Sequence, residues 1–181
     1  MLYAADAPEF SPWLDRAVAV YAKAMRAPRR QISGRRPIME RHLDYPGFRA
    51  YLALRDDTLV GFCYGFRGEP GQWWHDAVYR GLSDYGAPDA TTRWLGDCFE
   101  VAELQMLPRY QQRGIGRTLI TTLCAERTER TVVLSTHDMD SPARRLYRSL
   151  GFTDLLTDFH FPAGAEKFAV MGAPLPLPGA R

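Results

Sequence analysis

Apolar positions along this chain recur at two periods. After Ser11-Pro12, Leu14, Val18, Tyr21 and Met25 follow at spacings of four, three and four, which predicts a helix that Pro28 ends. Leu2 to Ala5 reads as a short edge strand before it. Arg29 to Arg36 is polar and reads as a loop, and Pro37 to Leu43 as a second, short helix. Phe48 to Leu54 and Thr58 to Phe66 are rich in strand formers and are separated by Asp56-Asp57, the pattern of an antiparallel hairpin. Further on, Cys98 to Met106 is a strand. Helix (about Gly114 to Thr128), strand (Thr131 to Ser135), helix (Ser141 to Leu150) and strand (Phe152 to Phe161) then alternate. A last strand, Lys167 to Met171, leads into a proline-rich tail from about residue 174 that reads as extended and peripheral. The pattern predicts an α/β (α+β) domain with a mixed, mostly antiparallel central sheet of six to seven strands flanked by helices.

Residues 67–96 break this rhythm. Gly68, Pro70, Gly71, Gly81, Gly86, Pro88 and Gly96 punctuate the segment, while Trp73, Trp74, Tyr79, Tyr85 and Trp94 load it with rings. One reading is a short helix, Trp73 to Leu82, whose rings pack on the core. The other is that some rings wall a pocket.

At 181 residues and 46% hydrophobic, the chain is long enough for one well-buried core, and a single domain over 1–181 is expected. A net charge of +2 points to neither nucleic acid nor membrane as a partner. The densest basic patch, Arg26 to Arg36, reads as a solvated loop or a grip for an acidic group. No basic region followed by an apolar one opens the chain, and no apolar run reaches membrane-spanning length, so a cytoplasmic protein is expected. Cys63, Cys98 and Cys124 lie scattered in apolar stretches and read as buried free thiols. No Cys/His cluster has metal-ligand spacing, and no metal is expected.

Chemistry concentrates where the strand Cys98 to Met106 gives way to a helix. Leu107-Pro108-Arg109-Tyr110-Gln111-Gln112-Arg113-Gly114-Ile115-Gly116-Arg117-Thr118 is a glycine-rich turn opening a helix. Such a turn offers unpaired backbone N–H groups and the positive end of the helix dipole, which together bind phosphate. Gly114 and Gly116 let an oxygen approach the backbone, and Arg113 and Arg117 add charge. A nucleoside-triphosphate loop would need a lysine after Gly116, and none follows. A dinucleotide fold would need a third glycine where Leu119 stands, although Asp138 lies near the distance of a ribose-binding acid.

Gln111-x-x-Gly114-x-Gly116 after Pro108 resembles the acyl-CoA pyrophosphate motif of the GNAT superfamily of N-acetyltransferases. Downstream, Asp140-Ser141-Pro142-Ala143-Arg144-Arg145-Leu146-Tyr147-Arg148-Ser149-Leu150-Gly151-Phe152 resembles that family's second CoA-side motif. The family often has asparagine where Asp140 stands; an acid there is read as capping the helix that starts at Ser141-Pro142. The resemblance implies a sheet splayed between its fourth and fifth strands and acetyl-CoA as co-substrate. It also implies CoA contacts from Met106 and Leu107, through the loop Gln111 to Thr118, to Asp140, Arg144 and Tyr147.

The reaction so implied transfers acetyl to a primary amine of a small-molecule or peptide acceptor. An alkylammonium must first lose a proton, the thioester carbonyl must be polarised, and the departing thiolate benefits from an acid. The resemblance gives the acid role to Tyr147. Strand N–H groups around Met106 and Leu107 are expected to polarise the carbonyl or to pair with the pantetheine amides. Glu100 and Glu103 compete for the role of base; strict alternation puts them on opposite faces of their strand, and the spacing to the loop favours Glu103. A carboxylate inside an apolar strand either works or is paired, and a salt bridge to an arginine or a water relay are the alternatives. The same fold acting as a non-catalytic acyl-CoA-binding module is the rival reading. Base rates for soluble proteins favour a homodimer.

Overall fold

The edge strand at the start of the chain forms as the pattern predicts. In the computed structural model, which describes residues 1–178 and only the backbone at residues 29–31, β1 (Leu2–Ala5) lies antiparallel to the later strand Arg49–Arg55. Helix begins earlier than Ser11-Pro12. Asp6 caps α1 (Ala7–Phe10) through a reciprocal pair: its Oδ1 accepts from Glu9 N at 3.0 Å, and Glu9 Oε2 accepts from Asp6 N at 3.0 Å. A 3-10 turn over Ser11–Trp13 carries the chain into α2 (Leu14–Met25), which buries Leu14, Ala17, Val20 and Tyr21. Arg26, in the left-handed region at φ 49°, ends it before Pro28 does.

The predicted polar loop and short helix are one helix, α3 (Arg29–His42), with Pro37 inside it. Pro37 contributes no N–H to the helical ladder. Side-chain anchors compensate: Arg36 reaches Asp15 on α2 at 2.8 Å and Glu40 at 3.0 Å. The hairpin follows as predicted, β2 (Arg49–Arg55) and β3 (Thr58–Gly68), turned by Asp56 and Asp57 at φ 48° and 57°. Two successive left-handed residues match the right-handed twist of the paired strands.

Residues 67–96 are more regular than their glycines suggest. They form α4 (Trp73–Tyr85) and α5 (Ala90–Leu95). Then come β4 (Cys98–Met106), α6 (Ile115–Ala125), β5 (Thr131–His137), α7 (Pro142–Ser149), β6 (Thr153–Phe159) and β7 (Phe168–Pro174). Seven strands make a mixed, mostly antiparallel sheet in the order β1-β2-β3-β4-β5-β7-β6. β4 and β5 are parallel, and their ladder joins Cys98–Glu100 to Thr131–Val133 while both strands run on. The tail is less peripheral than predicted. Pro174 still pairs with Thr131, and Leu177 is buried. The final three residues of the tail lie outside the described residues.

By contacts the chain divides into two compact units, residues 1–66 with 101–123 and residues 67–100 with 124–181. The core of the first unit joins Phe10, Leu52, Phe62, Tyr64 and Phe66 with the apolar face of α2 and with Met39 of α3. Burying each such side chain stabilises by roughly 1.5–3 kcal/mol. The second unit packs α4 and α5 on its strands through Val78, Leu82, Leu95, Val133 and Val170. Gly81 lets α4 approach β6, since a Cβ there would stand 2.6 Å from Phe159 and 2.8 Å from Leu156. Trp74 and Trp94 pack inward, Trp74 Nε1 donating to Ser135 Oγ at 3.0 Å, whereas Trp73, Tyr79 and Tyr85 are exposed. The three cysteines are buried thiols outside any disulfide. Burial pushes the Cys98 and Cys124 thiols up to about 12, with Glu100 adding to the effect at Cys98.

Candidate active site

In the first unit, β4 feeds directly into the glycine-rich loop. Leu107 N–H donates to Val60 O on β3 at 2.9 Å, which extends the sheet by one residue. That amide is therefore engaged within the unit. Pro108–Tyr110 makes one 3-10 turn. Gln111 Nε2 donates to Met106 O at 3.0 Å, so this side chain staples the loop to the strand end. Met106 itself packs over Gly61, where a Cβ would lie 2.2 Å from its Cε.

Two positive dihedrals then turn the chain, Gln112 at φ 56° and Gly114 at φ 82°. Gly114 O accepts from Thr118 N at 3.0 Å, which starts α6. The leading amides of a helix have no partners within it. Nothing lies within 4 Å of a Cβ built on Gly114, and Arg113, Gly114, Arg117 and Thr118 are exposed. Room beside Gly114, the start of a helix and two exposed arginines together fit a pyrophosphate. The Arg109 and Arg113 guanidinium carbons lie 4.9 and 6.0 Å from the centre of the Tyr110 ring.

Glu103 lies on β4 ahead of this loop and is 5% exposed. Arg35 Nη1 reaches its Oε1 at 3.1 Å, and Gln105 Nε2 donates to its Oε2 at 2.8 Å. Burial pushes the carboxyl above the ordinary glutamate range, against the opposing pull of Arg35 and Gln105. Arg35 comes from α3. Its Nη2 donates to Tyr21 Oη at 2.8 Å, and its guanidinium sits 4.2 Å over the Tyr21 ring. Burial disfavours that guanidinium's charge, yet Glu103 and Tyr21 hold its pKa above the ordinary value. Close by, His42 Nδ1 and Tyr64 Oη are 2.9 Å apart. Burial, then Arg35 and Arg41, push His42 down to about 4, so it is neutral at neutral pH.

Sequence reasoning missed Arg35, Tyr21 and the His42–Tyr64 pair. The available signal was the carboxylate inside an apolar strand, which calls for a cation. The only dense source of cations was the segment read as a solvated loop.

The second unit holds Glu100, which is buried, and Tyr147. Tyr147 is buried on α7 with its ring 5.7 Å from Phe152, and its carbonyl accepts from Leu150 N and Phe152 N. The cap of α7 is Ser141, whose Oγ accepts from Arg144 N at 3.1 Å. Asp140 is exposed and pairs with Arg145 at 2.7 Å, which corrects its reading as the cap. Arg144 is buried and engaged by Asp138 and, at 3.0 Å, by Asp154. Asp138 is held below the ordinary aspartate range by the Asp158 amide and by Arg144. His137 stacks on Phe168 at 4.9 Å, and both ring nitrogens of buried His75 lack a hydrogen-bond partner among the described residues.

Residues 13–152 match the model of the acetyltransferase (GNAT) family. A GCN5-like protein acetyltransferase of Mycobacterium tuberculosis is 37% identical over 187 aligned positions, covering 89% of this chain and 91% of the relative. Among solved structures, the ribosomal-protein-S18-alanine N-acetyltransferase of Escherichia coli superposes with a TM-score of 0.64 at 16% identity, covering 96% of this chain and 94% of that one. The ribosomal-protein-alanine N-acetyltransferase of Brucella melitensis gives 0.63 at 19% identity, covering 97% and 99%. At those identities the two structures report the fold alone.

Proposed function

Because this chain belongs to the GNAT acetyltransferase family, we propose that it transfers acetyl from acetyl-CoA to a primary amine by direct attack, with Glu103 as base and Tyr147 as acid. Acetyl-CoA supplies the acetyl thioester. The Gly114–Thr118 turn and Arg113 hold its pyrophosphate, a reading supported by the open approach to Gly114. Glu103 takes a proton from the acceptor ammonium, freeing the lone pair that forms the new N–C bond. As the C–S bond breaks, the Tyr147 phenol protonates the sulfur, and the second proton that the new amide nitrogen sheds restores the phenol by way of solvent.

The observation that carries the reading is the Glu103 carboxylate, buried yet held by Arg35 and Gln105 on the strand that enters the loop. The relative from M. tuberculosis is a protein acetyltransferase, which supports a protein amine, a lysine or an N-terminus, as the first acceptor class to test. The test measures free-thiol release from acetyl-CoA over small amines, peptide N-termini and protein lysines, for the wild type and Glu103→Gln. Turnover on one class, lost in Glu103→Gln, supports the reading. Tight CoA binding without turnover on any amine would overturn it in favour of a CoA-binding module.

A further inference from the structure

Glu103 is engaged at both carboxylate oxygens, but the two partners differ in kind. Gln105 is a neutral neighbour on the same strand; Arg35 is a permanent cation delivered by another element. Exposure is uneven as well, 27% for the Arg35 side chain against 5% for Glu103. Arg35 is itself fixed, since its Nη2 donates to Tyr21 Oη and its Cζ sits 4.2 Å over the Tyr21 ring. Among the described residues, the other titratable or charged groups acting on Arg35 and His42 are Tyr64 on β3 and Arg41 on α3. Tyr64 bonds the neutral His42.

Burial favours the protonated form of a carboxyl this enclosed, and a neighbouring cation opposes it. A protonated carboxyl cannot accept a proton from an ammonium. Neither neutral His42 nor Tyr64 supplies the missing charge, whereas a guanidinium stays charged at every working pH. We propose that Arg35 is the positioning residue of the acetyl-transfer site, keeping Glu103 ionised and aimed while Tyr21 holds Arg35 in place. The proposal rests on the reading of Glu103 as base. When Glu103 takes the acceptor's proton, the pair passes from net zero to net plus one, and Arg35 then favours release of that proton to solvent.

The experiment compares wild type, Arg35→Met, Arg35→Lys, Tyr21→Phe and Glu103→Gln in kcat/KM from pH 5.5 to 9.5. The Glu103 carboxyl is titrated in parallel by infrared difference spectroscopy, with Glu103→Gln identifying its band, and circular dichroism melting checks the fold. In Arg35→Met the acid limb and the carboxyl titration move up together by about one unit or more, and activity lost at pH 7 returns by pH 9. Arg35→Lys keeps the charge and moves less than half as far; Tyr21→Phe moves in the same direction by less. Should Arg35→Met fail to fold, the Lys and Phe variants carry the test. A uniform loss at every pH, with limb and carboxyl titration unmoved, overturns the role of Arg35 alone. Wild-type turnover by Glu103→Gln overturns the base reading and the proposal with it.

Discussion

The Gln111 side chain donates to the carbonyl of Met106 at 3.0 Å, five residues back along the chain. This bond closes the loop on the strand that carries Glu103. The loop is held in its turned form before any phosphate arrives. Removing the bond in Gln111→Ala lets the loop sample other shapes. One hydrogen bond of about 1 kcal/mol corresponds to CoA binding weaker by roughly fivefold. Calorimetry on the variant checks this, and unchanged affinity would show that the staple does not preorganise the loop.

Gly114→Val puts a β-branched side chain at φ 82° and a Cβ into the open approach beside the turn. Strain of about 1–3 kcal/mol is expected in the fold, visible as a lower Tm. CoA binding should weaken by more than tenfold, because the added bulk stands where an oxygen must come. Wild-type affinity in this variant would remove Gly114 from the phosphate site.

Tyr147→Phe keeps the ring that packs near Phe152 and deletes only the hydroxyl. If the phenol is the acid, kcat falls by about 10²-fold while CoA affinity stays nearly intact. A ring that only packs would leave kcat unmoved. Steady-state kinetics at saturating acceptor separates the two.

His42 gives a stability signature in pH. Its folded pKa, about 4, lies below the ordinary 6.5. Between these values the unfolded chain binds the proton more readily. Stability is therefore complete above about pH 6.5 and declines as pH falls toward 4, by an amount on the order of a few kcal/mol. Wild-type Tm should fall more steeply than that of His42→Asn over this window. Parallel slopes would remove His42 as the source of the acid sensitivity.

What could be read from the chain alone was what local pattern encodes. The path from β4 through Gly114 to α6 was legible because strand propensity, a left-handed glycine and helical spacing are local signals. α3 was not legible. Its residues carry no apolar stripe, Pro37 reads as a helix start, and its support comes from partners such as Asp15, far off in sequence. α5 was hidden behind Gly86 and Pro88. At the site, Glu103 was legible as a carboxylate out of place in an apolar strand. Its partner was not, because a pairing with Arg35 exists only once α3 and β4 pack together. Asp140 and Ser141 show the limit of spacing rules: either can cap, and the hydroxyl of Ser141 occupies that position while Asp140 pairs with Arg145.

The buried cysteines have a practical consequence at the bench. With pKa values near 12, Cys98 and Cys124 carry about one thiolate per ten thousand molecules at pH 8. Cys63 is shielded by burial. The native protein is thus nearly silent toward disulfide-exchange dyes, and colour in such an assay reports CoA release rather than the enzyme. The silence ends on unfolding, when three thiols per chain become reactive. The same dye, with no substrate present, then serves as a clock for the opening of the fold.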